Sequence, residues 1–323
     1  MSARTLELVV TAVRDTAPDV RAVTLADPDG NPLPGYVPGS HLVLALGEQG
    51  EWRNAYSLTG DGVAPATYDI SVLHVPGGAG GSDWLHRELR PGMRLTAQLP
   101  RSAFAPVARA RRHLLIAGGI GVTPIVSHLH AARRWGREVQ VLYAFRPGRG
   151  AHLDDLETLT APLPGPGVET CTDRDMLLAR LSTVLRGQPV GTHLYVCGPG
   201  AMIDAVLSAA GDAGWPASRL HSERFGVDAL DPGEPFTLTV TRGGVAERFD
   251  VPSGVSLLET LERHGVDVPN MCRQGVCGEC RLPVTGGTPL HRDLFLGDDE
   301  KAAGEAVMAC VSRADGPTLE VSL

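Results

Sequence analysis

The first hundred or so residues alternate short apolar, β-prone runs with clusters of glycine and proline. These runs lie at 6–13, 20–25, 40–46, 56–58, 68–74 and 94–99. Short strands separated by turn residues are typical of an antiparallel barrel. The pattern therefore predicts a barrel over 1–108.

Beyond residue 108 the apolar pattern changes, and strands alternate with amphipathic helices. Strands are predicted at 113–117, 139–145 and 192–197, and helices at 124–135, 153–158, 176–185 and 201–213. Alternating strands and helices are the pattern of a parallel α/β domain. We assign this domain to 109–228.

A loose segment with prolines, a glycine and acidic residues follows, and we interpret 229–235 as a linker. Two strands at 236–241 and 246–251 then flank a glycine turn, and a helix comes after them. Strand, turn, strand and helix in this order indicate a β-grasp domain over 236–323. The predicted fold class is therefore multidomain: an antiparallel β-barrel, a parallel-sheet α/β domain and a C-terminal β-grasp domain.

Two helix starts in the last domain have recognisable capping residues. Ser256 and Glu259 fit a capping box, and Gly265 fits the end of the same helix. The acidic run at 298–300 follows Gly297. It is either a docking patch or a set of N-terminal helix charges, and the second interpretation is favoured.

Length and charge limit the classes of function. A chain of 323 residues has room for two or three cores. A formal net charge of −8 argues against nucleic acid or anionic membrane as the main partner. No stretch resembles a secretory signal or a membrane span, so a cytoplasmic location is expected. The chain is also expected to be a monomer.

Four cysteines near the C-terminus have the spacing of an iron–sulfur site. Cys272, Cys277 and Cys280 form a C-x4-C-x2-C run, and Cys310 follows thirty residues later. This is the ligand spacing of a plant-type [2Fe–2S] cluster. The alternative is a zinc site, but zinc ribbons usually pair two C-x2-C hairpins, and only one is present. The motif predicts single-electron transfer.

A glycine-rich turn joins the first predicted strand of the α/β domain to its helix. Gly118, Gly119 and Gly121 precede Thr123, the predicted N-cap, and Pro124, the predicted first helical residue. Bare backbone at a helix N-terminus suits a pyrophosphate. Close packing of strand on helix explains one such turn equally well.

A second turn strengthens the nucleotide hypothesis. Cys197, Gly198 and Pro199 follow another predicted strand, at the edge where open α/β sheets bind ligands. Two such turns in one sheet predict a dinucleotide site. Cys197 is then either near the nicotinamide or a small packing residue, whereas packing is expected for Cys171.

The first domain holds candidate flavin residues. Strand alternation puts Arg53 and Ser57 on one face and Tyr56 on the other. The glycine-rich segment 77–82 suits a backbone nest for phosphate. Taken singly, exposed strand residues and a flexible loop explain these features as well.

In this order the motifs resemble the phthalate dioxygenase reductase family, which includes vanillate demethylase reductase subunits. The resemblance covers essentially the whole chain. The matching positions are Arg53, Tyr56 and Ser57 (flavin motif), Gly80, Gly81 and Ser82 (phosphate element), Gly118 to Pro124 (NADH motif), Cys197 to Pro199, and Glu223, Arg224 and Phe225.

The resemblance implies three domains, which bind FMN, NADH and a [2Fe–2S] cluster. It implies that Arg53 and the turn at Gly80–Ser82 hold the FMN phosphate, that Ser57 hydrogen-bonds near flavin N5, and that Phe225 covers the flavin ring. It also implies dinucleotide contacts from the Gly118–Thr123 turn and cluster ligation by the four cysteines. His74 and Ala79 depart from the basic residues usual in the family, which leaves Arg53, the nest and Arg101 to neutralise the phosphate.

The expected function is an NADH-dependent reductase component. A hydride carries two electrons and the cluster accepts one, so a flavin has to stand between them. No oxygen-activating motif is present, so electrons would pass to a separate oxygenase, either a Rieske non-heme iron protein or a cytochrome P450. The alternatives are FAD in place of FMN, NADPH in place of NADH with Arg146 or Arg149 receiving its 2′-phosphate, and a non-enzymatic redox carrier or sensor.

Overall fold

The computed structural model describes residues 5–48, 50–77, 80–102, 104–225, 233–270, 275, 278–293 and 295–323. The chain forms two compact units, Met1–Phe225 and Gly226–Leu323. Most of the predicted linker at 229–235 lies outside the described residues, and the three-domain boundaries remain a prediction.

An antiparallel barrel begins the first unit. Its strands are β1 (Thr5–Ala17), β2 (Val20–Ala26), β3 (Ser40–Leu46), β4 (Trp52–Ser57), β5 (Thr67–Leu73), β6 (Arg94–Gln98) and β7 (Arg101–Ser102), and helix α1 (Gly81–Glu88) lies between β5 and β6. The strand order is β4-β3-β6-β1-β2-β5, with β7 beside β3. An antiparallel bridge between Leu58 and Ile70 joins the two ends of this sheet and closes the barrel.

A parallel five-stranded sheet completes the first unit. Its elements are β8 (Arg112–Gly118), the 3-10 turn Gly119–Gly121, α2 (Val122–Trp135), β9 (Glu138–Ala144), α3 (Leu153–Thr160), β10 (Gly167–Cys171), α4 (Arg174–Arg186), β11 (Thr192–Gly198), α5 (Gly200–Asp212) and β12 (Leu220–Arg224). The order is β10-β9-β8-β11-β12. Central strand β8 is buried along its whole length, as expected for a sheet that helices cover on both faces.

Hydrogen bonds join helix α2 and the sheet directly to the barrel. The Ser127 hydroxyl donates to the carbonyl of Gly60 at 3.2 Å. Nε2 of His128 donates to the carbonyl of Phe104 at 2.7 Å. The hydroxyl of Tyr195 accepts from the backbone N–H of Val107 at 2.7 Å. The parallel sheet therefore bonds directly to the barrel at α2 and β11.

The second unit has a mixed sheet with β-grasp topology. Its elements are β13 (Phe236–Arg242), β14 (Val245–Val251), α6 (Leu257–Arg263), β15 (Arg281–Leu290), α7 (Asp298–Ala303), β16 (Ala306–Met308) and β17 (Arg313–Ser322). The order is β14-β13-β17-β15-β16, and the central pair β13 and β17 is parallel. The apolar faces of the sheet and of α6 form one core.

Both capping predictions in this unit are confirmed. Ser256 accepts from the backbone N–H of Glu259, whose carboxylate accepts from the Ser256 N–H in return. Gly265, with φ +73°, ends the helix in the left-handed region, where a side chain is disfavoured. At α7 the carboxylate of Glu300 accepts from the N–H of Gly297 at 3.1 Å.

The sequence pattern missed several elements. Edge strands β10 and β12 are mostly half-exposed, so they lack the continuous apolar run by which a buried strand is recognised. Helix α1 is short and starts in a glycine-rich segment. Strand β15 contains two register shifts and two prolines, which conceal its period.

None of the helices in the described part of the chain is both long and apolar enough to cross a membrane.

Candidate functional site

Two glycine turns meet at the carboxyl edge of the parallel sheet. A Cβ atom at Gly121 would lie 2.3 Å from the carbonyl oxygen of Cys197. One at Gly198 would lie 2.9 Å from the Cα atom of Gly118. Because real Cβ atoms do not approach other atoms so closely, only glycine lets the turns after β8 and β11 touch.

Gly119 differs from its neighbours in this cluster. Its φ is +53°, and a Cβ atom built there would have no atom within 4 Å. Helix α2 starts at Val122, after the 3-10 turn, so the backbone of this turn and the positive end of the helix dipole lie next to this opening. Gly119 is therefore where an anionic ligand has room to reach the backbone.

The predicted start of α2 is wrong. The helix begins at Val122 with Gly121 as its N-cap, because the 3-10 turn already winds the chain before Thr123. The Thr123 hydroxyl donates instead to the carbonyl of Ile120 at 3.0 Å. Pro124 consequently lies inside the first turn, where its missing N–H costs no helical hydrogen bond.

Cys197 lies at the end of β11 and is completely buried. Burial, and secondarily the nearby carboxylate of Glu223, raises the pKa of its thiol well above the usual range. The thiol is therefore protonated at neutral pH and is not a nucleophile. Pro199 follows as the N-cap residue of α5, and its ring lies close to Gly118.

The E-R-F residues end strand β12 beside this edge. Glu223 pairs in register with Cys197 across the parallel strands. Arg224 forms an ion pair with Asp204 of α5. Phe225 is half-buried and packs on the core shared by α2 and one face of the sheet. The structure thus brings these three residues to the same edge as both glycine turns.

The predicted phosphate element forms the start of α1. Gly80 is the N-cap with φ 102°, and Gly81 is the first helical residue. A Cβ atom at Gly80 would lie 2.8 Å from Nε1 of Trp52, and one at Gly81 would lie 2.7 Å from the side-chain nitrogen of Asn54. Because the start of α1 lies so close to β4, only glycine fits at these two positions. The backbone N–H groups of the helix start therefore have no side chain over them, which suits a phosphate.

Asn54, and not Arg53, faces this turn. The β3–β4 ladder pairs Asn54 with Leu44 and Tyr56 with Leu42, so Asn54 and Tyr56 lie on one side of β4 and Arg53 on the other. The side-chain amide of Asn54 donates to the Tyr56 hydroxyl at 3.1 Å. The strand geometry therefore places Asn54 at this turn, and a phosphate contact from Arg53 remains a prediction. Strand alternation counted from Tyr56 would have identified Asn54.

His74 and Ser82 flank the same helix start. Nε2 of His74 lies 3.0 Å from the carboxylate of Asp83 in the first turn of α1. The Ser82 hydroxyl accepts from the backbone N–H of Val75 at 3.3 Å. His74 also lines an open cleft of about 560 Å³. Ala79, the other departure from the family pattern, lies outside the described residues.

Ser57 is the last residue of β4 and is buried, opposite His41 on β3. Its neighbour Tyr56 is half-buried and packs against the barrel core. Both residues lie at the end of the strand, where the bridge from Leu58 closes the barrel. The flavin motif therefore lies where the barrel closes.

Two of the four predicted cluster ligands are described. Cys280 and Cys310 are both buried, and the carbonyl of Cys280 accepts from the N–H of Ala309 at 3.0 Å. Cys272 and Cys277 lie outside the described residues. Within the described ranges no group of three or more metal-ligating side chains occurs. Cys280 immediately precedes β15 and Cys310 follows β16, and the pairing of Arg281 with Met308 holds these two strand ends side by side.

Two glycines of the cysteine loop have tight neighbours. Gly275 has φ +71°, and a Cβ atom there would lie 2.6 Å from Cγ2 of Val311, next to Cys310. Gly278 has φ +82°, and its Cβ atom would lie 2.4 Å from the ring of Phe295. Only glycine therefore fits at these two positions, which suits a chain that has to approach a cluster closely.

Three features define the class of protein as a modular flavin, pyridine-nucleotide and iron–sulfur reductase. They are an antiparallel barrel with a glycine-rich helix start, a parallel sheet in which two glycine turns touch, and a β-grasp unit with buried cysteines. Residues 93–220 match the family described as dimethylamine monooxygenase subunit DmmA-like, N-terminal domain. Residues 240–315 match the 2Fe-2S iron-sulfur cluster binding domain.

Individual relatives match over nearly the whole chain. The heme-dependent oxidative N-demethylase beta subunit of Ectopseudomonas mendocina is 36% identical, over 98% of this chain and 99% of that protein. The solved structure of phthalate dioxygenase reductase has a TM-score of 0.82 and 32% identity, and the match covers 99% of this chain and 98% of that one. A type IV self-sufficient cytochrome P450 monooxygenase matches with a TM-score of 0.70 and 31% identity, over 99% of this chain and 41% of that longer one.

The chain belongs to the phthalate dioxygenase reductase family. The predictions of family, three-part fold class and oxidoreductase function are thereby confirmed. The cluster-binding domain and a flavin- and NAD-binding reductase fold are confirmed as well.

Proposed function

We propose that this protein is the NADH-dependent reductase component of an oxygenase system, which takes a hydride onto FMN and passes single electrons through a [2Fe–2S] cluster to a separate oxygenase. Bound flavin would supply the change from two-electron to one-electron transfer. The observation that carries the proposal is the contact between the turns at Gly121 and Cys197. The backbone at Gly119, beside this contact, faces open space, and the sheet is hydrogen-bonded directly to the barrel.

The chain's own groups would hold FMN at the start of α1. Backbone N–H groups at Gly80, Gly81 and Ser82 would bind the phosphate, with Asn54 and Tyr56 on the adjoining side of β4. Further proposed contacts are His74 beside the phosphate and Ser57 near flavin N5. FMN in preference to FAD follows the family resemblance, and mass spectrometry of the released flavin tests it.

The dinucleotide would lie across the two glycine turns. Gly118, Gly119, Gly121 and Thr123 would contribute backbone N–H groups to its pyrophosphate, and Cys197, Gly198 and Pro199 would adjoin the nicotinamide end. Phe225, half-buried beside the same edge, would cover the flavin ring until the nicotinamide arrives.

An ion pair supports NADH as the donor in preference to NADPH. Arg149, one of two candidates for a 2′-phosphate, is paired with Asp19 of the barrel. Its charge is thereby partly neutralised. Arg146 is exposed and is the remaining candidate. Steady-state rates with both nucleotides test this preference.

Cys272, Cys277, Cys280 and Cys310 would hold the cluster, from which electrons leave. In Cys277→Ser, NADH should still bleach the flavin, whereas reduction of cytochrome c should be lost. Undiminished cytochrome c reduction after loss of the cluster would make the flavin the exit point for electrons and would contradict this order.

The proposed partner is a terminal oxygenase of the Rieske or cytochrome P450 type. A heme-containing N-demethylase is a second candidate, favoured by the DmmA-like match and by the identity with the N-demethylase beta subunit. Purified oxygenases of each type can be mixed with this protein and NADH without oxygen. Heme reduction followed by the Soret band, or bleaching of a Rieske centre, identifies the acceptor.

Anaerobic titration with NADH tests the main proposal. The protein, shown beforehand to contain flavin and iron, is followed by visible absorbance and low-temperature EPR. Flavin bleaching with a rhombic S = 1/2 signal is the expected result. Absence of both would overturn the proposal and favour a redox carrier or sensor without hydride-transfer activity.

A further inference from the structure

Barrel strand β5 is joined to the loop after β9 through the side chain of His152. Nε2 of His152 lies 2.9 Å from the Ser71 hydroxyl on β5, and Nδ1 lies 2.6 Å from the carboxylate of Asp155. Ser71 is buried, and the His152 side chain is only 9% exposed. Both ring nitrogens are thus engaged, one by the barrel and one by helix α3.

Hydrogen-bond chemistry determines the direction of these two contacts. The hydrogen bond from His152 lowers the pKa of the Asp155 carboxyl, so this group is an ionised acceptor. Nδ1 of His152 therefore carries a proton, and in the neutral ring Nε2 accepts from the Ser71 hydroxyl. The ring is held in one orientation across the boundary between barrel and sheet.

Serine, histidine and aspartate are also the residues of a hydrolytic triad, but this arrangement does not suit hydrolysis. Ser71 lies within strand β5, paired with Ala22 of β2, and is buried. A nucleophilic serine has to be reachable by a substrate carbonyl beside an oxyanion site. The contact is therefore one that holds the barrel and the sheet together.

A second set of hydrogen bonds starts at the residue next to His152. The backbone N–H of Ala151 donates to the Tyr143 hydroxyl at 3.1 Å, and this hydroxyl donates to the carbonyl of Gly119 at 3.2 Å. Tyr143 is completely buried, and burial raises its pKa to about 12, so it remains a protonated donor at neutral pH.

Together with the peptide bond between Ala151 and His152, these hydrogen bonds form one path from the barrel to the nucleotide turn. It runs through Ser71, His152, Ala151, Tyr143 and Gly119. Its first residue belongs to the barrel proposed to bind FMN, and its last is the glycine of the nucleotide turn that faces open space. Hydride transfer is sensitive to displacement, and about 1 Å of misplacement can cost about 100-fold in rate.

We propose that His152 and Tyr143 are positioning residues that fix the nucleotide turn relative to the flavin barrel. This proposal rests on the proposed function, because it assumes that nucleotide binds at Gly119 and flavin in the barrel. His152 has φ 58°, a backbone conformation that is strained for a non-glycine residue, and it is held there by its two side-chain bonds.

Tyr195 offers a matched control for Tyr143. Both side chains are fully buried in the same sheet, and burial raises the pKa of each to about 12. The Tyr195 hydroxyl likewise accepts a backbone N–H, from Val107 at 2.7 Å. No hydrogen bond to the nucleotide turn is described for Tyr195. Each Tyr→Phe change therefore removes a buried hydroxyl that accepts a backbone N–H, but only in Tyr143→Phe is a second hydrogen bond lost, the one to Gly119.

The first experiment compares Tyr143→Phe with Tyr195→Phe in the full chain with its cofactors bound. Binding of NAD⁺, which cannot donate a hydride, is measured by calorimetry, and thermal midpoints are recorded alongside. The proposal expects Tyr143→Phe to weaken NAD⁺ binding by about tenfold, the effect of about one lost hydrogen bond, and Tyr195→Phe to change it less than about twofold. Equal effects of both variants, or no effect of Tyr143→Phe, would overturn the role of Tyr143.

The second experiment tests the barrel end of the path. Ser71→Ala removes the hydroxyl and leaves the His152–Asp155 bond intact. Flavin reduction at saturating NADH should slow several-fold, NAD⁺ affinity should stay nearly unchanged, and hydrogen exchange at the Ala151 amide should speed up. Ser71→Thr keeps a hydroxyl and should restore both rates.

The outcomes separate this proposal from the proposed function. If the unaltered protein neither binds NAD⁺ nor bleaches its flavin with NADH, the proposed function fails. If it does both, and Ser71→Ala matches it in flavin reduction and amide exchange, only the positioning role of His152 is refuted.

Discussion

The Cα atom of Gly121 lies directly against the peptide between Cys197 and Gly198. A Cβ atom at Gly121 would be 2.3 Å from the Cys197 carbonyl oxygen and 2.7 Å from the Gly198 nitrogen. Both of these atoms belong to backbone, which cannot swing aside like the end of a flexible side chain. The two glycine turns are therefore interdependent.

Gly121→Ala should separate these turns. The forced shift should cost about 1–3 kcal/mol of stability and should raise the KM for NADH, because the adjoining Gly119 opening changes shape. Thermal unfolding and steady-state kinetics measure the two effects.

Gly211→Ala is the control for this substitution. Gly211 lies within helix α5, is exposed, and has no atom within 4 Å of a built Cβ. Alanine there should stabilise the protein by up to about 1 kcal/mol and leave KM unchanged. Similar behaviour of Gly121→Ala and Gly211→Ala would show that the turns tolerate separation.

Phe295→Ala should slow electron delivery to large acceptors. The ring packs on Gly278 in the cysteine loop, yet Phe295 is 44% exposed, so it offers apolar surface beside the proposed cluster. We expect slower reduction of cytochrome c with unchanged flavin bleaching by NADH. Val245→Ala, at an exposed turn of the same unit, is the control and should leave both rates unaltered. Equal loss in the two variants would exclude a specific role for Phe295.

Asp19→Ala should improve the use of NADPH. Removing this carboxylate leaves Arg149 without its ion-pair partner and available to a 2′-phosphate. The KM for NADPH should fall several-fold while the KM for NADH stays nearly constant, as measured by initial rates. In Asp19→Ala combined with Arg149→Ala the gain should disappear. A gain that persists in the double variant would rule out Arg149 as its source.

Stability should fall as the pH drops below about 6.5, the usual pKa of an exposed histidine. Burial lowers the pKa of His113 to about 4, of His128 to about 3 and of His221 to about 4. Between these values and 6.5 the unfolded chain binds more protons than the folded one. These histidines therefore leave the free energy of unfolding at its full value above pH 6.5. It falls towards pH 4, by about 1.4 kcal/mol per pH unit for each of the deeply buried His113 and His128 and by less for the more exposed His221.

His128→Gln should make this pH dependence shallower. Glutamine retains an N–H donor for the Phe104 carbonyl but does not titrate. Urea unfolding at pH 7.5, 6 and 5 measures the change. An unaltered slope would mean that His128 is not among the groups that take up protons on unfolding.

Prediction from the sequence was correct where a feature depends only on residues that are close together in the chain. The strand predicted at 40–46 is observed as Ser40–Leu46, and Ser256, Glu259 and Gly265 cap α6 as expected. Capping and strand periodicity depend on residues within a few positions of one another. Such features are readable before any tertiary contact is known.

Prediction from the sequence failed where contacts between distant segments determine the local structure. Thr123 was expected to cap α2, but the preceding 3-10 turn starts the helical winding earlier. Asn54 was not expected at the phosphate element, but the ladder with β3 and the approach of α1 put it there. Nothing in the local pattern connects Ser71 with His152, 81 residues away, yet folding joins them.

By itself, the sequence determined the order of the three fold types, the cluster motif and the two glycine turns, because spacing and periodicity are properties of the chain. Tertiary structure alone decided that Gly121 touches Cys197 and that Ser71 is connected through His152 and Tyr143 to Gly119. These contacts join segments far apart in sequence, and they depend on how the barrel and the sheet pack their buried faces together. Local pattern carries no information about that packing.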